Sequence, residues 1–436
     1  MPTYQIYQIL NQVSLALFVF AFGACVGSLI NVIAYRLPLG LNIVTPPSRC
    51  PSCETRLTWR ENIPIFGWIF LRGRCRFCKS KISPEYPIVE AITALLFLLV
   101  YATWYLLPYN AHWLGIDLGQ FRPQWTHVDI REFWPRHTWP TFLVVIGLVG
   151  SLVAMTLVDA KTFTIPLEIP WFATILAVVG HTLHAVWVQV RGINMPPLVS
   201  GQKWFIPTPE SWAWILAIFG ALLGLGAGIA LVKLKLIRRS FADYDEWEKK
   251  AIAEAEAARA AKPAEERGDE GTLEGGPEMW LMYPHARREV IKEILFLTPC
   301  ALLGYVGWKL GQGMTDDPAL WIKVLAGALL GYLVGGAVVW VVRIFGSLAF
   351  GKEAMGMGDV HLMAAVGAAL GAVDSTIAFF GAAFVGLAWN LLGAAFSGKI
   401  TRQMPYGPYL AASTMLVILL KPLICRGLAL LGIPVC

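Results

Sequence analysis

The chain has 436 residues, of which 56% are hydrophobic and 15% charged, with a net charge of +6 and a mean hydropathy of +0.59. Those values exclude an ordinary soluble globular domain and make lipid the solvent for most of the chain. The positive balance does not point to nucleic acid, because the basic residues cluster in loops beside apolar runs, where membrane topology explains them.

In chain order, Val13–Ile33 is the first apolar run of about 20 residues, enough to cross a hydrocarbon core of about 30 Å as a helix. It has no basic segment before it and no small-residue cleavage site behind it, so it is expected to be a retained span and not a removed signal peptide. The loop that follows carries Arg36, Arg49, Arg56, Arg60, Arg72, Arg74, Arg76, Lys79 and Lys81. By the positive-inside rule this loop is cytosolic and the N-terminus lies outside.

Within that loop stand Cys50-Pro-Ser-Cys53 and Cys75-Arg-Phe-Cys78. Two such pairs place four thiolates at tetrahedral reach of one zinc ion, and a reducing cytosol favours zinc over two disulfides. Four cysteine ligands leave no open coordination position, so the zinc would be structural, folding a module too short to build a core unaided. Cys25, Cys300, Cys425 and Cys436 lack ligand spacing and read as packing residues.

A second span near Tyr86–Leu107 leads to an outer loop, Pro108–Pro140, whose Trp113, Trp125, Trp134 and Trp139 are expected to form an interfacial belt. The third span, Thr141–Val158, returns Asp159 to the cytosolic side. The fourth, Trp171–Val190, carries His181 and His184 on one face as packing or interface residues, and the fifth, Ser211–Val232, stops at Lys233, Lys235, Arg238 and Arg239. From 240 to 288 the composition becomes that of a charged linker without its own core, containing a short helix at Glu246–Ala260. Spans at Ile291–Leu310 and Ala319–Val342 follow. Val360–Leu370 is short for a crossing and reads as a half-span in a protein-lined setting, and Ser375–Phe396 and Tyr406–Leu420 complete the chain.

The expected fold is therefore an all-α polytopic membrane protein with about 8–10 transmembrane helices and a small four-cysteine zinc-type module after the first span. Its organisation is a first span (1–36), the module (37–85), helices carrying Asp159 (86–190), an inserted block (191–318) with two extra spans around the 240–288 linker, and helices carrying a Gly-x-Gly-Asp motif (319–436).

Asp159 closes one apolar run, and Asp359 opens another directly after Gly356-Met-Gly358. A carboxylate beside apolar helix costs about 2.5–3.5 kcal/mol on insertion scales, so its default reading is functional. The topology puts both acids at the same cytosolic depth. If they meet, they hold a single proton between them, as an aspartic protease needs. The ionised acid takes a proton from attacking water, while the protonated one hydrogen-bonds the scissile carbonyl and later protonates the leaving amine. The dipole of the following helix favours the ionised form at Asp359 and leaves Asp159 as the proton holder. Gly356 and Gly358, without side chains, let a substrate backbone lie close to the carboxylate. A Gly-x-Gly-Asp tetrapeptide alone is a weak motif, and two inert interfacial aspartates is the competing reading.

Further pieces accompany these: Gly27-Ser-Leu-Ile-Asn31-Val-Ile-Ala-Tyr35-Arg36-Leu-Pro38, Ser83-Pro-Glu-Tyr86-Pro87-Ile-Val-Glu90, Leu157-Val-Asp159, Gly351-Lys-Glu353-Ala-Met-Gly356-Met-Gly358-Asp359 and Pro405-Tyr-Gly407-Pro408-Tyr409. With the two cysteine pairs, and in this order, they resemble the type IV prepilin peptidases, bifunctional leader peptidases and N-methyltransferases of the Gly-x-Gly-Asp aspartic class. The resemblance implies that Asp159 and Asp359 are the catalytic pair of a multi-pass enzyme in the bacterial inner membrane, its active site facing the cytosol. It also implies prepilin or pseudopilin substrates of type IV pilus or type II secretion systems, each an apolar helix behind a short basic leader. Methyl transfer from S-adenosylmethionine to the new N-terminus comes from the resemblance alone, since the sequence shows no Gly-rich methyltransferase loop. Glu90 reads equally as a catalytic acid or as a helix N-terminal carboxylate.

Three departures stand out: the block from about 191 to 317 is absent from the compact family pattern, His361 stands where the family often has Lys, and the segment after Asp159 is less acidic than expected. Because the block adds an even number of crossings, it preserves the catalytic side. Two rival readings remain. One is an intramembrane aspartic protease for other single-span substrates, and the other is a transporter relaying protons or cations through Asp159 and Asp359. Against the transporter, the acids sit at one face and the sequence shows no inverted repeat.

Overall fold

The computed structural model describes residues 2–108, 110, 112–113, 116–123, 125, 136–193, 195, 204–238, 240–260, 283–351, 353–397 and 405–432. These residues are helical apart from loops and a two-residue antiparallel pair, β1 (His112–Trp113) and β2 (Ile116–Asp117). Nine of the helices among them are long and apolar enough to cross a membrane. The chain divides into two compact units, one of Met1–Thr208, Ala319–Gly336 and His361–Cys436, the other of Pro209–Pro318 and Ala337–Val360.

The helices in chain order are α1 (Pro2–Arg36), α2 (Phe66–Phe70), α3 (Glu85–Tyr101), α4 (Trp139–Thr162), α5 (Glu168–Arg191), α6 (Trp212–Lys233), α7 (Tyr244–Ala260), α8 (Ala286–Gly311), α9 (Leu320–Phe350), α10 (Met357–Leu370), α11 (Ala372–Ser397) and α12 (Gly407–Leu430). Their limits follow from local chemistry. Pro140 starts α4, where its missing N–H costs nothing, and Phe163 in the left-handed region (φ 54°) ends it with its N–H on the Asp159 carbonyl. Gly192 (φ 61°) ends α5 in the same way. Pro422 breaks α12, leaving Leu420 outside helical geometry (φ −120°, ψ 16°).

In the first unit α1 packs on α3 and α4, α4 packs on α5, and α12 packs on α4 and α11. Large apolar side chains such as Leu17, Phe18, Phe384 and Leu391 face outward, a surface suited to lipid and not to water. From Leu362 to Leu370 the α10 side chains are almost wholly buried, which agrees with a short helix enclosed by protein.

In the second unit α6 and α8 meet along a seam of glycines. A Cβ on Gly220 would stand 2.2 Å from the Leu303 carbonyl oxygen, one on Gly224 2.2 Å from that of Pro299, and one on Gly307 2.1 Å from that of Leu216. Only glycine allows the two backbones to approach so closely, the packing mode that membrane helices use where hydrophobicity cannot drive association.

Several expectations are corrected. Trp125 does not join an interfacial belt. It is 2% exposed and packs edge-on against Trp204 and His184, while Trp139 is half exposed; Trp134 and the Trp113 side chain lie outside the described residues. The 240–288 linker has a small core of its own, in which Phe241, Tyr244 and Tyr283 pack with Trp247. Residues 261–282, Arg239, Lys352, Lys399, Arg402 and Cys436 lie outside the described residues. Cys425 is disulfide-bonded and not a free packing residue. His181 and His184 are buried as packing groups. His181 Nε2 donates to the Ala369 carbonyl (3.1 Å) and His184 Nε2 to that of His137 (2.7 Å), which leaves His184 Nδ1 to accept from the Thr141 hydroxyl (2.9 Å).

Candidate active site and four-cysteine centre

The two cysteine pairs build the same turn twice. The Cys50 N–H donates to the Thr55 carbonyl and the Cys75 N–H to that of Ser80, while the N–H groups of Glu54 and Lys79 return to the carbonyls of Cys50 and Cys75. Glu54 (φ 56°) and Lys79 (φ 58°) take the left-handed conformation that closes each turn, and the pairings Arg49 with Arg56 and Arg74 with Lys81 zip each base.

The four Sγ atoms all lie within 4.8 Å of one another, with Cys50 to Cys78 at 3.8 Å and Cys53 to Cys75 at 3.9 Å. Zinc–sulfur bonds of about 2.3 Å require tetrahedral edges of about 3.8 Å, so the donor set fits the ion. The Cys53 N–H draws the Cys50 thiol down to about 6, and the Ser80 hydroxyl lowers Cys78, both toward the thiolate that a metal needs.

Glu90 joins this module to the helices. It is 8% exposed on α3 and accepts the Ile65 N–H at 2.6 Å, where Ile65 itself is held at φ 65° just before α2. Asn31 on α1 donates to the Tyr86 carbonyl at the start of α3. These two bonds tie the module and α1 to the first turns of α3. Glu85 pairs with Lys161, linking the start of α3 to the end of α4.

Asp159 belongs to the first unit. It lies within α4, not at its end as the apolar run suggested, because the helix continues to Thr162. Its side chain is 6% exposed and its Oδ2 accepts the N–H of Gly407, the first residue of α12, at 3.1 Å. A Cβ on residue 407 would stand 2.5 Å from that oxygen. Gly407 was visible only as part of a motif; its role is to bring a helix N-terminus, with its unpaired N–H groups, against the carboxylate.

Asp359 belongs to the second unit, half-buried in the first turn of α10. Gly356 is exposed, and a Cβ there would meet only Asp359 Oδ2, at 3.8 Å, and the Gly358 N, at 3.9 Å. Among the described residues there is room for a side chain at this place, so their packing does not demand the glycine. His361 is partly buried, with its ring 5.9 Å from that of Trp171.

Comparison with known proteins matches residues 21–104 to the bacterial peptidase A24 N-terminal domain and residues 287–391 to the type IV leader peptidase family. The four cysteines and Glu90 fall in the first segment and Gly356, Gly358 and Asp359 in the second, while Asp159 falls between them. A prepilin leader peptidase/N-methyltransferase of Myxococcus xanthus is 54% identical over 82 residues, covering 19% of this chain and 24% of its own. One of Pectobacterium carotovorum is 38% identical over 151 residues, 30% of this chain and 53% of its own. A type 4 prepilin-like proteins leader peptide-processing enzyme of Escherichia coli is 27% identical over 230 residues, 48% of this chain and 71% of its own. The chain thus spans from about a quarter to about half the length of the first two of these relatives. No solved structure matches it. With both segments matched, and in the order that the motifs implied, the chain is similar over 21–104 and 287–391 to the type IV prepilin peptidases, and nine of its described helices are long and apolar enough to cross a membrane.

Proposed function

We propose that the chain is an aspartic endopeptidase of the bacterial inner membrane that removes the basic leader from type IV prepilin or pseudopilin-like substrates at the cytosolic face. The observation that carries this reading is the leader peptidase match over 287–391, which contains Gly356, Gly358 and Asp359. Asp159 and Asp359 share one proton in this mechanism. Water loses its proton to the ionised carboxylate as it attacks the scissile carbonyl, and the protonated carboxyl hydrogen-bonds the carbonyl oxygen; as the C–N bond breaks, the leaving amine takes a proton from the pair. The open space over Gly356 is where the substrate backbone approaches Asp359.

The Cys50, Cys53, Cys75 and Cys78 centre holds a structural zinc ion in this proposal, closed to substrate by its four sulfurs. Methyl transfer from S-adenosylmethionine to the new N-terminus belongs to the same reading and rests on the names of the relatives. The basic module loop orients the chain with that loop in the cytosol. The disulfide at Cys425 agrees with this orientation, since it lies toward the opposite end of α12 from Gly407 and Asp159, where an oxidising compartment is expected.

The test is leader cleavage of a prepilin-like substrate by purified, detergent-solubilised protein, comparing wild type with Asp159→Asn and Asp359→Asn. Loss of cleavage in each folded variant supports the shared-proton pair. Wild-type cleavage by either one overturns it.

A further inference from the structure

Arg343 lies on α9 inside the apolar sequence Val341-Val342-Arg343-Ile344, yet it is 2% exposed. A buried guanidinium is tolerated only where its donors are answered, and here every partner belongs to the second unit. Its Nε donates to Glu293 Oε1 on α8 at 2.9 Å, and its Nη1 donates to Glu353 and to the Met355 carbonyl. Its Cζ lies 5.3 Å from the centroid of the Phe241 ring. Glu293 is in turn fixed by the Ser240 hydroxyl (3.1 Å) and the Trp340 indole N–H (3.2 Å). One turn earlier on α8, Glu289 accepts the Phe241 N–H (2.9 Å) and pairs with Lys292.

The other end of this network is the segment that leads into Gly356-Met-Gly358-Asp359. Besides the two Arg343 contacts, the Gly351 carbonyl accepts the Tyr283 N–H (2.6 Å) and the Ala354 N–H donates to Ser347 Oγ (3.2 Å). At Gly356, among the described residues, a Cβ would meet nothing nearer than Asp359 Oδ2 at 3.8 Å. Arg343 thus holds the segment that leads to the aspartate, and Glu293 and Phe241 hold Arg343.

We infer that Arg343 is a positioning residue for Asp359, oriented through Glu293 of α8 and the Phe241 ring. The inference rests on the reading of Asp359 as catalytic. Arg suits the task because its rigid fork bonds a carboxylate on one side and a second carboxylate and a carbonyl on the other, which the single ammonium of Lys cannot reproduce.

The experiment uses full-length protein in detergent and compares wild type, Arg343→Lys, Arg343→Gln, Glu293→Gln and Asp359→Asn. It reads leader cleavage together with hydrogen–deuterium exchange of peptides covering 351–359 and of the α6 and α8 peptides. Arg343→Lys is expected to lower kcat roughly 10- to 100-fold with KM within about twofold of wild type, and to raise exchange in 351–359 alone. Glu293→Gln can keep the oxygen that accepts from Arg343 and Ser240 while giving up the bond from the Trp340 indole, and is expected to lower kcat less than about tenfold. Should Arg343→Gln fail to fold, these two milder variants decide. Wild-type kcat in Arg343→Lys, unchanged exchange in 351–359, or exchange raised equally in α6 and α8 would each overturn the inference. Full cleavage by Asp359→Asn would instead overturn the reading of Asp359, whereas normal Arg343 variants beside an inactive Asp359→Asn would overturn only the clamp.

Discussion

The N–H of Gly407 points at Asp159 Oδ2 from 3.1 Å, and the space a Cβ would need at residue 407 is already filled by the same carboxylate, 2.5 Å away. The colliding atom is the end of a side chain and not backbone, so the carboxylate can swing aside while the helices stay in place.

Gly407→Ala is accordingly expected to lower leader cleavage roughly 10- to 100-fold by displacing Asp159, with little change in thermal stability. Gly427→Ala, on the same helix with nothing within 4 Å of the new methyl group, is the matched control and should be silent in both measurements.

Elemental analysis of purified protein is expected to find about one zinc ion per chain, lost in Cys75→Ser and after prolonged chelation. Proteolysis of the metal-free protein should then begin between residues 37 and 85, because the module is too small to stand without its centre. Retention of a protease-resistant module without metal would remove the structural role assigned to zinc.

The α6–α8 seam predicts a sharp positional contrast. Gly224→Leu drives a side chain into the Pro299 carbonyl and should destabilise the second unit by about 1–3 kcal/mol. Gly226→Leu faces open space two residues away and should leave the melting temperature in detergent unchanged.

A pH signature comes from the linker core. The Tyr283 hydroxyl donates to Asp243 at 2.9 Å and holds that carboxylate below its usual range, while burial, aided by Asp243, pushes the phenol up to about 12. A depressed acid gives stability that is present above the unfolded value of 3.8 and is lost as pH falls through the lowered one. A raised phenol gives stability that is full below its ordinary 10.0 and is lost as pH rises through about 12. The melting-temperature difference between wild type and Tyr283→Phe should be constant from about pH 5 to about pH 9 and close toward pH 3. A difference that widens in acid would contradict the bond.

The spans and the cysteine turns were legible in the sequence because each depends on local pattern: apolar length for the first, ligand spacing for the second. What escaped depends on residues far apart in the chain. Asp159 and Gly407 are separated by 248 positions, and no periodicity announces that an α12 N-terminus answers an α4 carboxylate. Arg343 gave a visible signal that was read as a boundary. A charge after Val342 looks like the end of a span, but α9 runs on to Phe350 because Glu293, 50 positions earlier, makes burial of the guanidinium tolerable. The linker core escaped for a similar reason: Phe241, Tyr244 and Tyr283 are sparse in a charged sequence and become a cluster only when Tyr283 returns to the segment where the linker began.

The glycine seam of α6 and α8 also bears on how such a chain can be remodelled. Two antiparallel helices sealed against each other hand the polypeptide back to the end it left, so the pair as a whole leaves the parity of later crossings unchanged. Its two members are not equivalent, however, because α8 lies in the segment matched to the type IV leader peptidase family and α6 does not. A chain that lost α8 would also strand Arg343 without Glu293 and would need a neutral side chain at position 343.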